Sequence, residues 1–396
     1  MKPCRSALAP ALTALALVAC PGIPVLDDDA GALDASSGDT AAPDHAVQDS
    51  GTAGDLNAPA DVGSGFDSAP ADTSTSVDAS SQRDAISPWD AADVGARPED
   101  PGSFTFGEST HSLDVPGGTS GRQVGITLFI PDGAQTAPAV VLLPGFQLAS
   151  TLYTSYGEHL ASHGFLTVLL DLPTALLGGP THAELATYTG LVLDWLTTQN
   201  AGGGALDGAL DASRIALAGH SMGGKIALLR ATTDARVRAV FGVDPVDSAG
   251  GPLSSPGPDY PSVTPERMDQ IAVPIVLLGE TTNATCTGFM CQPCAPAADN
   301  FDAYYTHATS PALEITVLGA NHMSFLDNPA CGLTCSACSA GSDDPEVTRR
   351  LTRRYLTAFV DLILRGDSAA RTWLDGAGML ADQNAGLVTH QLKNGF

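Results

Sequence analysis

The sequence predicts a doubly wound α/β domain over residues 104–396, with a mostly parallel sheet and helices on both faces. Apolar runs of strand length recur along this region, and several are apolar throughout, as in strands buried on both faces of a parallel sheet. These runs lie at 124–130, 139–143, 165–170, 214–218, 237–243, 273–278 and 313–318. Helix-length stretches lie between or after them, at 152–163, 181–199, 222–233, 298–308 and 345–365. This alternation favours right-handed crossovers within one α/β domain.

The ends of these elements carry two further indications. Asp344-Pro345, at the start of the last helical stretch, is typical of an N-cap followed by proline in the first turn. In doubly wound sheets, ligands bind beyond the carboxyl ends of the strands. We therefore expect functional residues in the segments that follow the strands.

The N-terminus has the pattern of an export signal. Two basic residues precede an apolar run over residues 7–19, which is shorter than the roughly 20 residues that a membrane-spanning helix needs. The run ends in LVAC, which resembles the lipobox of bacterial lipoproteins, where the cysteine is lipidated. This predicts a signal peptide over residues 1–19 and a lipid anchor on Cys20. The alternative is an ordinary signal peptide with a chance cysteine.

Residues 20–103 predict a disordered tether. Small and polar residues dominate, so this segment cannot bury enough apolar surface to offset its chain entropy. Its regularly spaced aspartates favour an extended chain. A calcium-binding repeat is the alternative, but the segment lacks the glycine pattern and the strand-forming residues of such repeats.

The net charge argues against one class of partner. The whole chain carries a formal charge of −26, to which the N-terminal segment contributes +2, the low-complexity segment −15 and residues 104–396 −13. Binding to nucleic acid requires a basic surface for the phosphates. We therefore expect no nucleic-acid partner.

The cysteines of the folded region lie in two clusters. They are Cys286, Cys291, Cys294, Cys331, Cys335 and Cys338. In an exported protein this even number indicates three disulfides, for which fifteen connectivities are possible. Zinc is the alternative, because two Cys-x-x-Cys pairs have the spacing of metal ligands.

The strongest candidate for chemistry is the G-x-S-x-G motif Gly219-His220-Ser221-Met222-Gly223, which lies between a short apolar strand and a helix. The turn from strand to helix is so tight that the positions two before and two after the serine cannot hold a side chain. The turn also exposes the Ser221 hydroxyl at a helix N-terminus, where developing negative charge is favoured. The motif in this context predicts that Ser221 is a nucleophile.

A serine nucleophile needs a histidine base, and with this motif the chain order is serine, acid, histidine. Three histidines follow Ser221, namely His307, His322 and His390. His307 falls within a helical stretch and His390 within the C-terminal tail, whereas His322 follows the last predicted strand. His322 is therefore the predicted base, with a solvent-exposed loop histidine as the alternative interpretation.

The acid that orients the histidine is less evident from the residues alone. The usual position is the loop after the run 273–278, which contains Glu280 but no aspartate. The preceding strand ends in the sequence DPVD, which offers Asp244 at the strand end and Asp247 three residues later. Asp247 is expected to cap the turn, and Asp244 and Glu280 are both candidates for the acid.

The oxyanion of an acyl-transfer reaction needs two backbone N–H donors. One is expected from Met222, the residue after the nucleophile. The other is expected after the strand 139–143, where the sequence PGF lets the backbone turn close to a substrate. Phe146 is the predicted donor, with Gln147 as the alternative, and the Phe146 ring would also line an acyl pocket.

Several of these segments resemble chlorophyllases, a family of α/β-hydrolases, over residues 124–364. The matching stretches are SHGF (162–165), GHSMGGKIAL (219–228), GVDPVD (242–247), PCAP (293–296) and HMSFLDN (322–328). The resemblance implies an α/β-hydrolase fold and ester hydrolysis, with Asp244 as the acid and His322 as the base. Met222 departs from the arginine that is usual in chlorophyllases. The sequence GHSMGG is similar to that of bacterial cutinases and polyester hydrolases, whose acid follows the next strand.

The expected function is a serine carboxylester hydrolase that acts through an acyl-enzyme on a small or lipid-like ester. Neither a metal nor an organic cofactor is implied. The alternatives are acyl transfer to another alcohol and a catalytically silent surface binding lipoprotein. We expect a monomer that is held at a membrane of a bacterial cell envelope by the lipid on Cys20.

Overall fold

The computed structural model describes residues 97–117, 121–133, 136–175, 178–249, 255–286 and 293–396. The predicted signal peptide, Cys20 and the predicted tether up to residue 96 lie outside the described residues, as does Cys291. Within the described ranges, no helix has the length and the apolar character needed to cross a membrane.

The described residues contain one nine-stranded sheet, in the order β1-β2-β4-β3-β5-β6-β7-β8-β9. The strands are β1 (Phe106–Val115), β2 (Arg122–Pro131), β3 (Ala137–Leu143), β4 (Leu166–Asp171), β5 (Leu210–His220), β6 (Val237–Val243), β7 (Ile275–Glu280), β8 (Ala312–Val317) and β9 (Val388–Lys393). Strands β3 to β8 pair in parallel, whereas β1, β2 and β9 join the sheet antiparallel. This mostly parallel sheet confirms the predicted fold class, that of an α/β-hydrolase.

The two edge strands, β1 and β9, were not predicted. In β1 the side chains mostly alternate between more and less exposed positions, and in β9 most side chains remain partly or fully exposed. An edge strand pairs on one side only and does not need the continuous apolar sequence of a central parallel strand. Sequence patterns based on apolar runs therefore detect the interior of this sheet and miss its edges.

Helices cover both faces of the sheet, as the sequence predicts. On one face lie α2 (His182–Gln199), α3 (Met222–Ala231) and α4 (Phe301–His307), which share a buried core with the sheet. On the other face lie α1 (Thr154–Ser162) and α6 (Pro345–Val360), with a second buried core.

The start of α6 confirms its predicted cap. The Asp344 carboxylate accepts the N–H of Glu346 at 3.0 Å, and Pro345 occupies the first turn. Three short helices, α5 (Leu333–Ser336), α7 (Arg371–Leu374) and α8 (Ala377–Asn384), were not predicted. Each is too short to show a helical period in the sequence.

The packed part of the chain begins before residue 104, the predicted start of the domain. Glu99 is buried, and its carboxylate accepts a hydrogen bond from Arg354 Nε at 2.9 Å. The N–H of Gly102 donates to Ser162 Oγ at 2.9 Å. A buried ion pair and hydrogen bonds to α1 therefore attach a short polar segment that has no apolar pattern of its own.

Disulfides occur in the segments that follow β7 and β8, and the bond between Cys294 and Cys338 joins the two segments. Cys294 pairs with Cys338, Cys331 pairs with Cys335, and Cys286 is also disulfide-bonded. These bonds confirm the prediction of disulfides for five of the six cysteines. The thiols of Cys335 and Cys338, the second Cys-x-x-Cys pair, are joined to different partners and are not available as zinc ligands. No group of three or more histidine, cysteine or acidic side chains suited to a metal ion occurs among the described residues.

Candidate active site

The serine motif forms the turn between β5 and α3. Ser221 has φ +54° and ψ −123°, a strained left-handed conformation for a residue other than glycine. A Cβ atom on Gly219 would lie 2.4 Å from the backbone carbon of Gly223, and a Cβ on Gly223 would lie 2.2 Å from the Leu143 oxygen. The two glycines of the motif are thus required by close contact, and the turn places Ser221 at the N-terminus of α3.

Ser221, His322 and Asp244 form a continuous line of hydrogen bonds. His322 Nε2 lies 2.9 Å from Ser221 Oγ, and His322 Nδ1 lies 2.5 Å from Asp244 Oδ2. A carboxylate only accepts, so Nδ1 carries the hydrogen and Nε2 is free to accept the serine proton. The structure therefore brings together the three residues that the sequence selected, from the segments that follow β5, β6 and β8.

Burial controls the electrostatics of this line. It raises the pKa of Asp244 well above its ordinary value and lowers the pKa of His322 to about 4, because each charged form loses its hydration. The two groups share a hydrogen bond and titrate as a pair. His322 is consequently neutral near pH 7, which is the state in which an imidazole can act as a base.

Glu280, the competing candidate for the acid, lies at the end of β7 and does not contact the histidine ring through a hydrogen bond. Within the described residues, its carboxylate accepts the N–H groups of Thr282 and Asn283, the latter at 2.9 Å. Burial, with the nearby Asp244 as a second cause, raises the pKa of Glu280 to about 8. Glu280 thus supports the loop after β7.

Asp247 serves a different partner from Asp244. Its carboxylate forms an ion pair with Lys225 Nζ at 3.0 Å, and both side chains are buried. It also accepts the hydroxyl of Ser262 at 2.7 Å and the N–H groups of Val263 and Thr264 at 2.8 Å each. These contacts hold the segment after β6 against α3, so Asp247 is structural through partners distant in sequence, whereas the sequence predicts that it caps its own turn.

The two predicted oxyanion donors lie on either side of the serine turn in sequence. Met222 is the first residue of α3, where a backbone N–H has no partner within the helix. Phe146 lies in a tight turn in which the N–H of Leu148 donates to the Gly145 oxygen at 3.2 Å, with Gln147 at φ +57°. In the described part of the chain, neither the Phe146 N–H nor the Met222 N–H donates to another protein group.

The backbone of His322 is held by Asn283, a residue of the loop after β7 that was not predicted as part of the site. Its Oδ1 accepts the N–H of His322 at 2.9 Å, and its Nδ2 donates to the Ser339 oxygen at 3.1 Å. The neighbouring Cys338 forms the disulfide to Cys294. The loop after β7 thereby fixes the loop that carries His322. Asn283 follows a predicted strand, and this position at the carboxyl edge of the sheet is the feature of the sequence that could have indicated its role.

Comparison with known proteins identifies one family of enzymes. A family model described as chlorophyllase matches residues 105–379. Chlorophyllase-2 of Arabidopsis thaliana is 27% identical over 246 residues, which cover 58% of this chain and 74% of the relative. Chlorophyllase-1 of the same plant is 26% identical over 265 residues, which cover 62% of this chain and 77% of the relative.

Cutinases, a second kind of esterase, match a shorter part of the chain. Cutinase est2 of Thermobifida alba is 31% identical over 121 residues, which cover 31% of this chain and 39% of the relative. Chlorophyllases and cutinases are carboxylic ester hydrolases of the serine hydrolase type. Because the chlorophyllase model spans well over half of its length, the chain belongs to the chlorophyllase family and is a carboxylic ester hydrolase.

Proposed function

We propose that this protein hydrolyses carboxylic esters with Ser221 as nucleophile, His322 as general base and acid, and Asp244 as the group that orients the imidazole. The observation that carries this proposal is the uninterrupted line of hydrogen bonds from Ser221 Oγ through His322 to Asp244. Its geometry meets the hydrogen-bond distance required of a nucleophile and its base. The chain belongs to a family of ester hydrolases, which also supports ester hydrolysis.

In the first half of the reaction, Ser221 Oγ attacks the ester carbonyl carbon while its proton passes to His322 Nε2. The N–H groups of Phe146 and Met222 stabilise the negative oxygen of the tetrahedral intermediate. The intermediate collapses, the bond to the alcohol oxygen breaks, and His322 returns the proton to that alcohol.

In the second half, water takes the place of the alcohol. His322 removes a proton from the water, which attacks the acyl-enzyme carbonyl, and the acid product leaves as Ser221 regains its proton. Throughout, Asp244 accepts the Nδ1–H of His322, so the basic lone pair stays on the nitrogen that faces Ser221.

The proposed substrate is a small or lipid-like ester with an apolar acyl group. Phe146 and Met222, the residues that would supply the two N–H donors, both have apolar side chains. Met222 is part of the core that contains α3, and Phe146 packs against that core. A panel of p-nitrophenyl esters of graded acyl length, extended by a polyester and a chlorophyll, ranks these substrates. A preference for charged acyl groups would contradict the proposal.

The nucleophile is tested with Ser221→Ala. The variant should lose hydrolysis of short p-nitrophenyl esters and covalent labelling by a fluorophosphonate, while its thermal unfolding midpoint stays within a few degrees. Retention of most of the activity would remove Ser221 from this role. A wild-type chain that neither labels nor hydrolyses would instead indicate a silent binding protein.

We further propose that the chain is exported and held at a bacterial membrane by a lipid on Cys20, with residues after it as a tether. The support is the sequence of residues 1–103 alone. Expression in a bacterial host with labelled palmitate should give a labelled membrane-bound protein, and Cys20→Ser should release it unlabelled. Equal labelling of both chains would contradict the anchor.

A further inference from the structure

His220, the residue before the nucleophile, lies in a chain of buried hydrogen bonds that the reaction above does not use. Its side chain is fully enclosed, and its Nε2 lies 2.9 Å from the backbone oxygen of His322. A carbonyl oxygen only accepts, so Nε2 carries the hydrogen. Burial holds the pKa of His220 well below its ordinary value. The ring is therefore neutral, and its Nδ1 is an acceptor.

Tyr153 continues this chain towards the loop after β3. Its hydroxyl lies 2.8 Å from His220 Nδ1, and because that nitrogen accepts, the tyrosine donates. The same hydroxyl accepts the N–H of Gly145 at 3.1 Å. Every bond in the chain then has one possible direction, from Gly145 to Tyr153, on to His220, and finally to the carbonyl of His322.

At one end, the chain fixes the peptide that carries the Phe146 N–H. Gly145 is held through its N–H by Tyr153 and through its oxygen by the N–H of Leu148. A trans peptide places its C=O and its N–H on opposite sides. Since the Gly145 oxygen points towards Leu148, the N–H of Phe146 points the other way.

The approach of Gly145 to the serine turn is close. A Cβ atom on Gly145 would lie 3.2 Å from His220 Nδ1 and 3.3 Å from Ser221 Cβ. Small displacements of this glycine therefore change the direction of the Phe146 N–H relative to Ser221.

At the other end, the chain fixes the backbone of the base. The oxygen of His322 accepts from His220, and its N–H donates to Asn283 Oδ1 at 2.9 Å. Both backbone groups of His322 are thus held. His220, which donates to the His322 oxygen, is also the residue next to Ser221 in the sequence.

We propose that Tyr153 and His220 are positioning residues that hold the Phe146 N–H and the His322 ring in fixed register with Ser221. This inference rests on the proposed function. Its effect falls on the transition state, because the oxyanion that Phe146 would bind exists there and not in the bound ester.

The first test compares Tyr153→Phe with Tyr188→Phe. Tyr188 is also a buried tyrosine, and its hydroxyl donates to the Pro116 oxygen in a part of the fold that holds none of the proposed catalytic residues. The measurements are kcat and KM on a p-nitrophenyl ester, and the affinity for an alkyl boronic acid, which forms a tetrahedral adduct on the serine.

For Tyr153→Phe we expect kcat to fall about 10- to 100-fold at nearly constant KM, because loss of a whole oxyanion donor costs about 10²- to 10³-fold and misdirection costs less. The affinity for the boronic acid should fall by the same factor. Tyr188→Phe should leave all three quantities within about twofold. A merely structural role for Tyr153 would lower the unfolding midpoint without lowering the affinity of the folded protein for the boronic acid.

The second test changes the other member of the chain. His220→Gln keeps an acceptor for Tyr153 and a donor for the His322 oxygen, whereas His220→Leu removes both. The glutamine variant should retain at least tenfold more kcat than the leucine variant. This pair also decides the matter if Tyr153→Phe does not fold.

Equal activity of the two His220 variants, or a Tyr153→Phe variant that behaves like Tyr188→Phe, would overturn the positioning role. Such a result leaves the proposed function intact as long as Ser221→Ala is inactive. An active Ser221→Ala variant would instead overturn the proposed function, whatever Tyr153→Phe does.

Discussion

Asp244 and Asp247 are three residues apart in one loop and are both buried, yet their carboxylates have very different hydrogen-bond partners. Asp247 has an ion pair with Lys225 and three further donors. Asp244 has the His322 ring on Oδ2, and within the described residues its buried Oδ1 has no hydrogen-bond partner.

This difference separates a structural acid from the proposed catalytic one. A buried carboxylate with all its donors in place stabilises the loop that carries it. One with an unpaired buried oxygen costs stability and is kept for another reason. In this loop, the fully hydrogen-bonded Asp247 stabilises the packing, and the incompletely hydrogen-bonded Asp244 is the residue with the proposed catalytic role.

We expect the largest effect for Asp244→Asn, which should lose catalytic activity. The amide group can donate to Nδ1, which shifts the ring hydrogen to Nε2, where it blocks acceptance of the Ser221 proton. We expect kcat on a p-nitrophenyl ester to fall about 10⁴-fold, with an unfolding midpoint no lower than that of the wild type. Near-normal turnover in this variant would show that Asp244 is not the acid.

The next effect is on the stability of Asp247→Asn. Removing one partner of a buried ion pair leaves Lys225 uncompensated and should lower the free energy of unfolding by about 3–5 kcal/mol. Asp194→Asn is the control, because Asp194 pairs with Arg236 on the surface and should change stability by less than about 1 kcal/mol. Urea unfolding measures both, and equal stability of the two variants would contradict the structural role of Asp247.

The comparison also predicts how the activity depends on pH. The pKa of His322 is lowered to about 4, so His322 stays neutral and able to accept a proton well below the ordinary histidine range. As the pH falls through about 4, His322 binds a proton and kcat/KM should fall with it. A rate profile on a neutral ester from pH 8 to below pH 4 checks this, and an acid limb near pH 6.5 would contradict the effect of burial.

Stability has its own acid dependence. The pKa values of the buried His159 and His182 are each lowered to about 3. Below the unfolded value near 6.5, the unfolded chain binds protons that the folded chain does not, so stability should fall as the pH falls from about 6.5. Circular dichroism of the same samples separates unfolding from loss of the base.

The parts of the site that the sequence predicted are those whose chemistry is local. Ser221 lies in a motif whose two glycines are required by the turn, and His322 and Asp244 follow apolar strands that are easily recognised. The interior strands were predicted for the same reason, since they are apolar along their whole length.

The contacts that hold the site and the N-terminal segment in place could not be predicted because they join residues that are distant in sequence. Tyr153 meets His220 over a separation of 67 residues, and Glu99 meets Arg354 over 255. Neither tyrosine nor glutamate lies in a pattern that marks it as functional. Such contacts depend on how the helices pack on the sheet, which apolar periodicity alone does not determine.

The smallest expected effect concerns Glu280, the third buried acid at the carboxyl edge of the sheet. Its pKa of about 8 means that the carboxyl is largely protonated near pH 7, so Glu280→Gln replaces one neutral group with another. The glutamine oxygen can still accept the N–H of Asn283, which holds His322. We expect kcat within about threefold of the wild type, measured beside Asp244→Asn on the same ester. A collapse of turnover in Glu280→Gln with activity retained in Asp244→Asn would reverse the assignment, because the acid would then be the residue at the end of β7.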